Sequence, residues 1–180
     1  MYKDGFPVYS VGDQINYWYE IIKFISQGAF GMVFNCFDHK DKMNVAVKVI
    51  QNDAKSHKIS KTEIKILNHL NKADPEDKRN IIWLIGNFKY WQNHHLVFEL
   101  MSIDLYHYMK LNDLKPCAKQ FYSWIGIQLF VSLLFLKKMN VIHCDLKPEN
   151  IMLKSKSKSG IKIIDFGSAC MISEDRFTYI

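Results

Sequence analysis

The chain has 180 residues, 48% hydrophobic and 14% aromatic, which is enough apolar material for a packed core and excludes a low-complexity disordered segment. Its net charge of +6 comes from lysines and arginines scattered along the chain rather than gathered in a block, so a solvated basic surface is expected and not a specific nucleic-acid site. Four cysteines, Cys36, Cys117, Cys144 and Cys170, lie far apart with no CxxC pair, which speaks for a reduced, intracellular protein.

Residues 1–17 form a polar and aromatic lead-in without the apolar core of a signal peptide, expected to pack as an arm on the strands after it. Branched and aromatic residues predict strands at 19–25, 32–37 and 44–50, with a Ser/Gln/Gly/Ala break at 26–29 and a turn at 38–41. A helix is predicted over 56–70, stopped by Asp74-Pro75-Glu76-Asp77. Segments 82–90 and 96–100 then flank Asn93-His94 as a hairpin. From Leu105 the pattern turns helical, with a nearly all-round apolar segment at 121–139 that reads as a buried helix. Its longest apolar run, 124–136, contains Gln128 and Ser132 and is short for a bilayer span, so no membrane insertion is expected. Short runs at 151–153 and 161–164 close a hairpin around the solvated loop 154–160. Strands and one helix succeeded by helices and a small hairpin predict an α+β fold of two unlike lobes.

Three constellations carry chemistry. In Ile25-Ser26-Gln27-Gly28-Ala29-Phe30-Gly31-Met32-Val33, Gly28 and Gly31 would let the backbone approach a bulky anion, although a ligand-free glycine turn is an equal reading. In Val45-Ala46-Val47-Lys48-Val49-Ile50 the valines share one strand face and Lys48 the other, so its ammonium must reach water or meet a carboxylate. Glu63 lies on the apolar stripe of Ile59, Ile66, Leu67 and Leu70 and is the available partner. The competing reading makes Ser60-Lys61-Thr62-Glu63 a capping box. The third constellation is His143-Cys144-Asp145-Leu146-Lys147-Pro148-Glu149-Asn150, with Asp165-Phe166-Gly167 after an apolar run. A carboxylate to accept a hydroxyl proton, a lysine to neutralise phosphate and an Asn/Asp pair to hold Mg2+ are what phosphoryl transfer requires.

The ordered set Gly28/Gly31, Lys48, Glu63, Asp145 to Asn150 and Asp165-Phe166-Gly167 resembles the protein-kinase signature over residues 16–180. His-Cys-Asp at 143–145 and Ile-Ile-Asp-Phe-Gly-Ser-Ala-Cys at 163–170 are similar to the dual-specificity tyrosine-regulated (DYRK) kinases of the CMGC group. The resemblance implies a bilobal kinase-like fold: an arm at 1–17, a five-stranded antiparallel N-lobe with one helix at 18–100, and an incomplete, mainly helical C-lobe at 101–180. A kinase domain usually continues beyond the activation loop, so the 180 residues alone are expected to bind nucleotide poorly and to phosphorylate nothing.

By the same resemblance, ATP and Mg2+ are the cofactors and protein Ser/Thr residues the substrates, in cytoplasm or nucleus, with no membrane or specific nucleic-acid partner. Residues 26–33 would cover the phosphates. Ile25, Val33, Ala46 and Leu153 would sandwich the adenine. Lys48, held by Glu63, would bind the α- and β-phosphates. Phe98 resembles the gatekeeper, Glu99, Leu100 and Met101 the hinge, and Asp104 a ribose contact. Asp145 would be the base, Lys147 the γ-phosphate neutraliser, and Asn150 and Asp165 the metal ligands. Tyr179 matches the tyrosine that such kinases phosphorylate on themselves. Cys144 replaces the arginine that reads an activation-loop phosphate and cannot make that pair. The alternatives are a catalytically inactive nucleotide-binding or interaction remnant, and a basic binding module.

Overall fold

The computed structural model describes residues 2–3, 6–28, 31–111, 113, 119–154 and 160–172. They form two compact units, Met1–Ile64 with Trp83–Leu100, and Lys65–Ile82 with Met101–Ile180. Ala29, Phe30, Tyr179 and most of the loop 154–160 lie outside the described residues.

In the first unit β1 (Tyr2–Lys3) pairs with β2 (Phe6–Pro7). An antiparallel sheet is built from β3 (Gln14–Ile15), β4 (Tyr19–Gln27), β5 (Gly31–Asp38), β6 (Met43–Ile50), β7 (Leu84–Tyr90) and β8 (Asn93–Glu99). Their order is β3-β4-β5-β6-β8-β7. The five expected strands are present, and β3 adds a short edge. The alternation in β6 sets the core: Val45, Val47 and Val49 are wholly buried with Phe6, Ile15, Ile21, Phe34, Cys36 and Val97, while Lys48 and Ala46 take the other face. Phe6 and Tyr9 pack the lead-in onto this core. The β5–β6 turn is held by the Asp38 carboxylate, which accepts from the amides of Lys40 and Asp41.

The β7–β8 turn falls at Trp91-Gln92, not at Asn93-His94. Trp91 supplies the positive φ, and Asn93 is buried as the first residue of β8, donating Nδ2 to the Ile50 carbonyl at 2.7 Å. A buried amide that satisfies a strand-end carbonyl outweighs the ordinary turn preference of asparagine.

Helix α1 runs Ala54–Ala73, longer than the predicted 56–70. Asp53 caps it by accepting from the Ser56 amide at 2.9 Å. Ser60 therefore lies inside the helix, with its hydroxyl on the His57 carbonyl, and does not start a capping box. Asp74 and Pro75 end it, the Asp74 carboxylate taking the amides of Lys78 and Arg79.

The second unit contains α2 (Leu105–Leu111), α3 (Lys119–Lys138), β9 (Val141–Ile142), β10 (Ile151–Leu153), β11 (Ile161–Ile163) and β12 (Cys170–Met171). β10 pairs with β11, and β9 with β12. Phe121 and Ile125 of α3 pack on Ile151, Leu153 and Ile161, and Gln128 Oε1 accepts the Ile161 amide. Helix α3 is buried on one side only: Ile127, Phe130 and Leu134 are each more than 65% exposed. By length and composition alone its 20 residues meet the requirement for a membrane span. Lys162, in the middle of β11, has no exposed surface, and its ammonium meets Asp77 at 2.6 Å.

Candidate active site

In the first unit β4 and β5 bring Ser26 opposite Val33 and Gln27 opposite Met32, with Ile25 partly exposed. The Gly28 amide donates to the Gly31 carbonyl at 2.9 Å. The two glycines differ in what they permit. A Cβ on Gly31 would lie 2.9 Å from the Val49 carbonyl, so strand packing demands glycine there. A Cβ on Gly28 would meet only the Gly31 oxygen at 3.9 Å. Of the two, only Gly28 leaves an open backbone approach among the described residues.

Lys48 and Glu63 are brought together. The Lys48 ammonium donates to Glu63 Oε1 at 3.1 Å and to Oε2 at 2.9 Å, and the Glu63 side chain is 2% exposed. On the same sheet face Ala46 lies opposite Phe98, which is buried. Glu99 is fixed by Trp83: its carboxylate accepts the Trp83 amide at 2.7 Å, and its own amide donates to the Trp83 carbonyl. Leu100 closes the first unit and Met101 opens the second.

In the second unit the segment after Met101 is tied to β10: Ser102 donates to the Leu153 carbonyl and Leu153 to the Ile103 carbonyl. Asp104 caps α2, accepting the His107 amide at 2.9 Å and facing the His107 ring at 2.7 Å, so a ribose hydroxyl would share an engaged carboxylate. Leu153 corrects the sequence reading. It has no exposed surface and packs with Phe121, Ile125, Ile151 and Ile161, which leaves nothing for an adenine ring. Met152, on the opposite face of β10, is partly exposed and bridges to Asp104. The alternation Ile151, Met152, Leu153 already carried that signal.

Asp145 Oδ2 accepts from the Lys147 ammonium at 2.8 Å and from Asn150 Nδ2 at 3.1 Å; the same Nδ2 also donates to the Asp145 carbonyl. The loop is held by a 3-10 turn over Pro148–Asn150, with proline at its start. The hydrogen bond from Lys147 holds the Asp145 carboxyl below its ordinary value, and Asp145 in turn raises the lysine. His143 is buried, with Nε2 on the Ile164 carbonyl at 2.9 Å and Nδ1 accepting the Asp145 amide at 3.3 Å. The Ile164 amide donates to the Asn150 carbonyl. Ile164 is thus gripped at both ends, and the next residue, Asp165, adopts a left-handed conformation (φ 59°) that leaves its side chain exposed. Cys144 also has positive φ, and its sulfur lies 3.7 Å from that of Cys170.

The family model described as "Protein kinase domain" matches residues 19–179. The chain belongs to the protein kinase family. Its relatives include a probable serine/threonine-protein kinase of Dictyostelium discoideum, 45% identical over 169 residues, which are 93% of this chain and 18% of the relative. A dual specificity tyrosine-phosphorylation-regulated kinase of Caenorhabditis elegans is 40% identical over 170 residues, 94% of this chain and 21% of the relative. The human dual specificity tyrosine-phosphorylation-regulated kinase 3 is 39% identical over 177 residues, 98% of this chain and 30% of the relative. The chain spans less than a third of the length of these relatives.

In this kinase-family chain the sequence reading assigned no role to Ile164, although Ile164 and His143 tie the site together. The hydrogen bonds that join Asp145, His143, Ile164 and Asn150 run largely through backbone atoms, which residue types do not announce.

Proposed function

We propose that this chain carries the nucleotide-binding and phosphoryl-transfer residues of a protein kinase acting on Ser/Thr of proteins, with Tyr179 as its autophosphorylation site. The observation that supports this best is the Asp145 carboxylate, anchored by Lys147 and Asn150 yet still partly open to solvent. Bound MgATP, the donor that the family uses, supplies the γ-phosphoryl group and metal charge.

The residues fit that donor. Asp165 offers an exposed carboxylate, and the Asn150 amide, with its nitrogen committed to Asp145, offers its oxygen. Hard oxygen ligands in small number suit Mg2+. Gly28 gives the open backbone approach that a phosphate needs, and Lys48, oriented by Glu63, would hold the α- and β-phosphates. Met152 takes the adenine-contact role first given to Leu153. Asp145 orients the substrate hydroxyl and accepts its proton, while Lys147 neutralises charge developing on the transferred group.

The test has two arms. The melting temperature of the chain joined to the remaining kinase domain of a relative is measured with and without MgATP, for wild type, Lys48→Met and Asp145→Asn. Transfer of labelled phosphate to a basic protein is then followed with the chain joined to the remaining kinase domain of a relative. Lys48→Met is expected to remove the nucleotide shift, and Asp145→Asn to keep the shift and abolish transfer. Equal shifts in all three proteins would sink the assignment of Lys48. Binding without transfer in the joined wild type would favour the inactive nucleotide-binding reading.

A further inference from the structure

The first unit carries a second concentration of chemistry that phosphoryl transfer does not use. On α1, His57 and Lys61 are four residues apart and share one helix face. On the sheet, His94 of β8 lies directly opposite Lys89 of β7. His94 shares its face with Leu96 and Phe98, the face of Lys48 and Ala46 that meets Glu63 of α1. The two sets converge: the His57 and His94 rings lie 4.9 Å apart between centroids, tilted by 41°. Two lysines and two imidazoles from three elements thus crowd one corner.

Among the described residues neither Lys61 nor Lys89 has an ion-pair partner, and Glu63 is turned to Lys48. Asp53, the acid nearest His57 in sequence, interacts with it electrostatically, while its carboxylate accepts the Ser56 amide at the helix cap. His57 Nε2 is buried with no hydrogen-bond partner among the described residues, an unusual state for a buried ring nitrogen. His94 feels the imbalance, held below its ordinary value first by burial and then by His57, Lys89 and Lys61.

We propose that the corner formed by His57, Lys61, Lys89 and His94 binds a phosphomonoester carried on a protein or peptide segment. A phosphomonoester near neutral pH is close to a dianion with three acceptor oxygens, which matches several donors arriving from different elements better than a single carboxylate does. The groups converge on a point and do not line a track, which suits one phosphoryl group better than the spaced phosphates of a nucleic acid. Trp91 in the β7–β8 turn, 56% exposed, lies next but one to Lys89 and offers an apolar contact for a neighbouring peptide residue. Bound phosphate would draw the N-terminal half of α1, which bears Glu63, onto β8.

The test measures anisotropy of a labelled phosphoserine peptide with the 180-residue chain, against its unphosphorylated form, inorganic phosphate and a single-stranded DNA oligonucleotide. Peptide binding needs no phosphoryl transfer, so it stands apart from the catalytic reading. The phosphopeptide is expected to bind at least about tenfold tighter than the unphosphorylated peptide, and Lys61→Met with Lys89→Met to weaken it by about tenfold or more. His94→Gln should weaken it too. Lys40→Met, in the β5–β6 turn, should leave it unchanged. Circular dichroism confirms that the variants stay folded. Binding that ignores phosphorylation or survives the double variant would overturn the site. Inorganic phosphate binding as tightly as the peptide would overturn the peptide as its source, and tighter oligonucleotide binding with the same lysine dependence would overturn the choice of a protein partner.

Discussion

His95 shows what a single buried ring does to pH dependence. It has no exposed surface and stacks on Phe88, with Nδ1 on the Asn93 carbonyl at 3.1 Å and Nε2 on the Tyr9 hydroxyl at 3.3 Å. A neutral ring satisfies both partners, and burial pushes its pKa down to about 4. The unfolded chain takes up this proton near the ordinary value of about 6.5, so the unfolded state binds more protons in between. The contribution is fully present above about pH 6.5 and is lost progressively as pH falls toward 4, by about 3 kcal/mol in total. Urea midpoints of wild type and His95→Gln at several pH values check this, and the variant should lose less on acidification. If the two profiles run parallel, His95 does not titrate as described. Asp145 offers a second residue-scale prediction. Its carboxyl is lowered chiefly by Lys147, so Lys147→Met should move the Asp145 titration upward, read by carboxyl carbon NMR. An unmoved titration would mean that another group sets it.

At the scale of elements, what the sequence announced and what it hid divide along physical lines. The alternation of Val45, Val47 and Val49 fixed both the core face of β6 and the exit of Lys48 from it, because burial of one face leaves one register. Glu63 was legible from the helical period, whereas the true cap, Asp53, stood seven residues before the serine that looked like one. Strand β3 was hidden because two residues carry no period; only the buried Ile15 marks it. Gly31 looked like a phosphate glycine, and the sheet gives it another reason to be glycine. Its added Cβ would press on the backbone oxygen of Val49, which cannot rotate away. Gly31→Ala is therefore expected to destabilise the chain by about 1–3 kcal/mol, the range for overpacking a tight site. Gly28→Ala, whose Cβ would make only an ordinary contact with the Gly31 oxygen at 3.9 Å, should change stability far less. Thermal melts of the two variants without nucleotide compare them directly, and equal losses would show that both glycines serve the turn.

For the whole molecule the deciding feature is the uncovered side of α3. Ile127, Phe130 and Leu134 succeed one another at helical spacing and stand 67%, 69% and 67% exposed. Beside the end of the helix, Leu133, Val141, Ile142, Leu146 and Ile172 line an apolar groove of about 330 Å³. Burying an aliphatic or aromatic side chain of this size is worth about 1.5–3 kcal/mol, so three of them supply several kcal/mol toward any association that covers them. Against this stands the loss of translational freedom, about 4 kcal/mol or more, which one such residue alone would not overcome. The 180-residue chain is accordingly expected to self-associate at micromolar concentrations, with sedimentation velocity reporting species larger than 21.2 kDa. Phe130→Glu with Leu134→Lys places charges on the exposed face and touches no residue of the core cluster, so it should restore a monomer while leaving circular dichroism and the His95 titration unchanged. A wild-type chain that sediments as a monomer would show that this face is not sticky enough to drive assembly. A charged double variant that still associates would move the contact to the exposed residues of the first unit, Tyr17, Trp18 and Phe24.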